Sequence, residues 1–192
     1  SQFAEDARFL RLDCLYKSTY RYELEQNPTR GALAAIYEYQ KDYGAANPHE
    51  EECKSMLADL KERLDHKAYE SARLYYKMED YKASRVAFRN ILKENSENVY
   101  REEILYYIAK SSYKYAQLSV ASKQKERYMT FIDDYLNFIG EIPVSPYTKE
   151  LKVLYARAQK ALGKYVGSEE ELNMKEKEFE KERKAGAKSE KK

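Results

Sequence analysis

The chain has 192 residues, with 35 Lys and Arg against 33 Asp and Glu and a formal net charge of +2. That near-balance argues against a nucleic-acid binder, which carries a clear basic excess on one face, and an apolar fraction of 43% excludes a disordered chain. With only six glycines and four prolines, long stretches hold no helix breaker, so an all-α protein is favoured over a sheet protein with its frequent turns.

The chain opens at Ser1-Gln2-Phe3, directly in a helical pattern. It contains no secretory signal or lipidation motif, and no apolar run approaches the ~18 residues of a membrane-spanning helix. It is expected to be a fragment whose targeting segment has been removed. Cys14 and Cys53 both fall in helical patterns and read as buried free thiols, a bridge between them being the alternative.

Four helix starts share one pattern: Phe3-Ala4-Glu5-Asp6-Ala7, His49-Glu50-Glu51-Glu52-Cys53, Tyr100-Arg101-Glu102-Glu103-Ile104 and Tyr147-Thr148-Lys149-Glu150-Leu151. Three are preceded by helix-start signals, Asn47-Pro48, Ser96-Glu97-Asn98 and Ser145-Pro146. Acids in the first turn suit the positive end of the helix dipole.

Amphipathic runs follow each start. In the second, Leu57, Leu60, Leu64, Ala68, Ala72 and Tyr75 step by three or four; in the third, Ile104, Ile108, Ser111 and Tyr115; in the fourth, Leu151, Tyr155, Ala158 and Leu162. Shorter second helices are predicted near 29–43, 81–93 and 122–139, with Ile36, Phe88 and Ile132 in matching places. The unit is a helical hairpin, repeated over about 3–46, 47–97 and 98–143, with a closing helix at 146–164.

Ala72, Tyr75, Ser84 and Phe88 sit at the small, aromatic, small and aromatic positions of a tetratricopeptide repeat. The expected fold is thus an all-α, tetratricopeptide-like solenoid over 1–166. From 167 to 192 a charged tail, partly helical or disordered, is expected, with Ser168 and Glu171 as a capping box.

No residue set points to catalysis. His49 and Cys53, four apart, offer two metal ligands, but zinc needs more; the repeat explains them as a ring and an apolar position. His66, among charges, reads as exposed. Asp133 and Asp134 are neighbours on a helix and point about 100° apart, so they do not share a site. Gly31, Gly44, Gly140, Gly163 and Gly167 are scattered at helix ends and turns, which leaves no phosphate cradle. No enzyme activity, cofactor or metal is expected. Most of the twenty tyrosines are expected to pack with wet hydroxyls, and a minority to meet a partner.

Leu57 to Asn95 carries a family resemblance. Leu60-Lys61-Glu62-Arg63-Leu64 runs into Tyr69-Glu70-Ser71-Ala72-Arg73-Leu74-Tyr75-Tyr76, and a break at Met78-Glu79-Asp80 restarts at Tyr81 and Ala83. This resembles the BamD family, lipoproteins of the machinery that assembles β-barrels in Gram-negative outer membranes. The resemblance extends more weakly over about residues 3–160. It implies a non-enzymatic scaffold on the periplasmic face of the outer membrane. Such a scaffold would dock on the POTRA domains of a BamA-like barrel subunit and help unfolded outer-membrane proteins fold and insert. Membrane attachment would come only from a lipid anchor upstream of this chain. A generic tetratricopeptide adaptor, co-chaperone-like, is the alternative.

For the scaffold the expected contact surface is Glu79–Arg89, with Asp80, Tyr81, Lys82, Arg85 and Arg89 exposed. Charge reversal at Arg85 and Arg89 together is then expected to weaken partner binding and leave helix content intact.

Overall fold

Asn47, Asn98 and Ser145 start three helices with the same device. Each side-chain oxygen accepts from the backbone N–H two residues on: His49 at 2.9 Å, Tyr100 at 2.9 Å and Tyr147 at 3.1 Å. Each backbone carbonyl also accepts from the N–H three residues on, at Glu50, Arg101 and Thr148. Short polar side chains favour this turn because they mimic one peptide group of a backbone turn. Asn47 and Asn98 are buried while doing so. Positions 47, 98 and 145 lie 51 and 47 residues apart, so the repeat read from the sequence recurs in the turns.

The computed structural model describes residues 2–44 and 47–163, with Met174 and Lys177 beyond them. Among the described residues the protein is all-α. The helices are α1 (Gln2–Lys17), α2 (Asn27–Tyr43), α3 (Glu50–Lys77), α4 (Tyr81–Glu94), α5 (Arg101–Gln117), α6 (Ala121–Glu141) and α7 (Thr148–Leu162). The charged tail expected at 167–192, with its capping box at Ser168 and Glu171, lies outside the described residues apart from Met174 and Lys177. The chain divides into two compact units, Ser1–Glu70 and Ser71–Lys192, and the division falls within α3.

The first unit packs α1, α2 and the first part of α3 around Leu12, Ala32, Ile36, Tyr39, Cys53 and Leu60. The excursion between α1 and α2 is tied down by polar bonds. Buried Gln26 donates to the carbonyls of Arg21 and Leu24, both at 2.9 Å. From α3, Arg63 donates to the Thr19 hydroxyl at 2.7 Å and Lys67 to the Leu24 carbonyl at 2.6 Å. Two expectations change here. Cys14 is exposed, because α1 turns it away from Leu12; Cys53 is buried, and both thiols are free. His66 is half-buried, its ring stacked on Tyr22 with centroids 3.9 Å apart.

In the second unit, Phe88, Ile104, Phe131, Ile132, Phe138, Leu151 and Leu162 are fully buried. Each such side chain contributes roughly 1.5–3 kcal/mol relative to exposure. Ile36, Phe88 and Ile132, matched in the sequence, all reach zero exposure. Ser84 on α4 is fully buried and meets Ser111 on α5 through their hydroxyls at 3.1 Å, a contact that only small residues permit. Tyr75 does not take the aromatic position expected of it. It is exposed, and half-buried Tyr76 packs instead, edge-on to Tyr81 and Tyr107.

The break between α3 and α4 is a Schellman turn. Asp80 N–H donates to the Tyr75 carbonyl at 3.0 Å and Glu79 N–H to that of Tyr76 at 3.1 Å. Glu79 adopts φ 63°, the left-handed region that favours glycine. Asp80 then caps α4 by accepting from Ala83 N–H at 3.0 Å.

Tyrosines pack as expected; among the described residues only Tyr20, Tyr37 and Tyr75 are exposed. A cluster forms around Lys110 on α5, whose ammonium lies 4.9 Å and 5.7 Å from the ring centres of Tyr106 and Tyr76. Lys110 pairs with Glu150 on α7 at 3.0 Å, and the Tyr106 hydroxyl donates to Glu150 at 2.8 Å. Burial pushes the Tyr76 hydroxyl up to about 12. Burial, then the Glu150 hydrogen bond, moves Tyr106 in the same direction and further. At Glu150 burial acts upward, but the bonds from Tyr106 and Lys110 outweigh it and hold the carboxyl below its ordinary value.

Two outcomes follow from these geometries. Glu79→Gly relieves the left-handed strain and is expected to stabilise the protein by up to about 1 kcal/mol, read from thermal unfolding. Tyrosines raised in the folded state contribute stability that is full below the ordinary value of 10.0 and is lost as pH climbs through it. The urea midpoint should therefore fall between about pH 9 and about pH 12, and fall less steeply in Tyr106→Phe.

Candidate functional site

α6 places an acid on its own apolar stripe. Asp134 lies three residues after Phe131 and four before Phe138, both fully buried, and its side chain is only 2% exposed. A lone carboxylate there is costly unless every oxygen is paired. Arg85 of α4 grips it in bidentate fashion, Nε to Oδ2 at 2.6 Å and Nη2 to Oδ1 at 3.0 Å. Arg89, one turn on, donates to Oδ1 at 3.1 Å, and the Ser112 hydroxyl of α5 donates to Oδ2. One carboxylate thus joins three helices.

Surface clefts flank this clamp. The first, of about 240 Å³, is lined by Lys82, Arg85 and Val86 of α4, by Ser112 and Tyr115 of α5, and by Glu126, Arg127 and Thr130 of α6. Arg127 is preset there: its guanidinium lies 4.0 Å from the Tyr115 ring centre and donates to the Ser119 hydroxyl. Lys82 and Val86 are exposed, and so are Leu118 and Val120 on the α5–α6 turn. The acid on this wall, Glu126, is already near Lys123, at 3.6 Å. The cleft therefore offers Lys82 and Arg127 to an incoming anion, with Arg85 already committed to Asp134 and apolar surface beside them. The second cleft, of about 340 Å³, has Arg89 and Asp134 on its wall and an Arg101–Glu141 ion pair among its lining residues.

The residues expected as a contact surface divide. Asp80 is exposed but occupied in capping α4. Tyr81 is buried against Tyr76, not exposed, since it faces inward as the first residue of α4. Arg85 is largely covered, with its side chain 20% exposed, because it turns toward Asp134; Arg89 stays half exposed. Lys82 alone of the five is both exposed and on the first cleft. Charge reversal at Arg85 and Arg89 would surround a buried carboxylate with two more, so it disrupts the fold and cannot isolate a binding effect.

The sequence did not reveal Asp134, Ser112 and Arg127 as site residues. An acid inside the stripe Tyr128, Phe131, Ile132, Tyr135 and Phe138 was the available signal for a buried ion pair. Asp133, the preceding residue, is exposed where Asp134 is buried. His49 stacks flat on Phe9 at 3.7 Å, and among the described residues no group of three or more His, Cys, Asp and Glu is placed to hold a metal. No helix among the described residues is long and apolar enough to cross a membrane. No family model matches the chain, and no curated protein matches it.

Asp134→Asn is expected to destabilise the protein by about 2–3 kcal/mol, below the usual cost of breaking a buried pair because Arg89 remains solvated. Arg85→Met combined with Asp134→Leu should recover most of that loss in urea unfolding. A neutral Asp134→Asn would mean that the clamp does not hold the three helices together.

Proposed function

We propose that the chain is a protein-docking scaffold of the BamD type, working on the periplasmic side of the outer membrane. It docks on the POTRA domains of a BamA-like barrel subunit and aids folding and insertion of outer-membrane proteins, with no covalent chemistry of its own. The resemblance over Leu57–Asn95 supports this reading. Burial of Ala72, Ser84 and Phe88 supports taking its hairpins as tetratricopeptide-like, with Tyr76 in the place of Tyr75.

The observation that carries the docking surface is the first cleft. Lys82 and Arg127 stand beside exposed Val86, on a wall whose one acid has its own partner. Arginine presented in a fixed plane suits a partner carboxylate. The same cleft favours one competing reading, a generic adaptor that holds an acidic peptide. In either reading the charges of Arg85, Arg89 and Asp134 serve packing, and Lys82, Val86 and Arg127 serve contact.

Calorimetric titration of the purified chain with POTRA domains, and separately with an acidic peptide, discriminates these. Binding to POTRA domains is expected to weaken at least tenfold, about 1.4 kcal/mol, in Lys82→Glu combined with Val86→Asp, with unfolding unchanged. Both side chains are exposed, so the variant keeps its core. No binding by the unaltered chain ends the BamD reading. Undiminished binding by the variant moves the contact elsewhere.

A further inference from the structure

α1 is apolar on two opposite faces. Leu12 enters the core of the first unit, with Phe9 and Tyr16 packed beside it. On the other side stand Phe3, Ala7, Leu10 and Cys14, all exposed, with Phe3 at 86% and Leu10 at 63%. Their steps of four, three and four, at about 100° per residue, keep them within an arc of about 60°. A helix spending its polar positions on neither face is unusual at a free surface, where the outer face is ordinarily charged.

That spacing is the a/d seam of a heptad. Phe3 and Leu10 fall at d, and Ala7 and Cys14 at a, small enough to let two backbones approach. The flanks differ in sign. Asp6 and Asp13 lie at g on one side, and Arg11 lies at e on the other. In a parallel pair each g residue faces the e residue five positions on in the partner helix, so Asp6 meets Arg11 of the second copy twice over. In an antiparallel pair like flanks meet, acid against acid and Arg11 against Arg11. Asp6 and Arg11 are both exposed. Among the described residues the ion partner of Asp6 is a distant one, His49 Nε2 at 3.9 Å.

We propose that this face pairs with the same face of a second copy of the chain, as a short parallel two-stranded coiled coil. The pairing uses neither the cleft nor any residue of the docking reading. Two heptads bury little area, so the dimer is weak and depends on concentration.

Sedimentation velocity of the reduced chain tests it between about 10 µM and about 0.5 mM. The average mass is expected to climb toward the dimer, and to stay at the monomer in Leu10→Glu, an exposed substitution that leaves the core intact. A short bis-maleimide should join Cys14 to Cys14 at the upper concentration and fail in Cys14→Ser; Cys53 is buried and out of reach. In an antiparallel pair the two Cys14 residues would stand on the order of 16 Å apart and escape the linker. A chain that stays monomeric at the upper concentration overturns the proposal, and so would a dimer that survives Leu10→Glu or forms without the Cys14 cross-link.

Discussion

A single buried carboxylate organises the second unit. Asp134 lies among aromatic and aliphatic side chains, where an unpaired charge would cost several kcal/mol. That cost is offset only because two guanidinium groups and a hydroxyl reach it from two other helices. Apolar contact between helices tolerates small slides and rotations. A bidentate bond does not, since it is lost with a shift of about 1 Å. The clamp thus fixes the rotation of α6 against α4 and α5, and with it the positions of Lys82, Arg85 and Arg127 around the cleft.

The rest of the packing works on a softer principle. Tyrosines carry much of it, and their hydroxyls reach acids or neighbouring donors at the edge of the core. Tyr106 bonds Glu150, and Tyr16 bonds Asp59. A phenylalanine would pack as well but would leave those carboxylates to water. Lys110 lies over two of the rings and against Glu150, so its charge is answered by aromatic faces and an acid together. Such mixed contacts let an all-α chain rich in charge set tyrosines beside the Leu and Ile of its core and still answer the charges at the core's edge.

Local features of the fold were legible in the sequence. The second helices expected near 29–43, 81–93 and 122–139 appear as Asn27–Tyr43, Tyr81–Glu94 and Ala121–Glu141. Polar turn residues at 47, 98 and 145 announced the helix starts, because the turn is made by those residues alone. Tyr75 was misplaced because one stripe drawn along α3 assumes one core, and this helix contributes to two units. The clamp stayed hidden for a different reason. Arg85 and Asp134 are 49 residues apart, and arginines on an amphipathic helix look solvated until the partner helix is in place. Periodicity reports which face is buried; it does not report which charge on another helix waits there.

The clamp also limits how this chain can change in length. Inserting one residue in α6 between Phe131 and Asp134 would swing the carboxylate by about 100°, toward solvent, and leave the largely covered Arg85 without its acid. Shortening the helix there has the same effect. The stretch between α1 and α2 is under no such geometric lock, since side chains from α3 hold it through backbone carbonyls and a hydroxyl. Variation in length among descendants of this sequence should therefore collect in that stretch and spare α6.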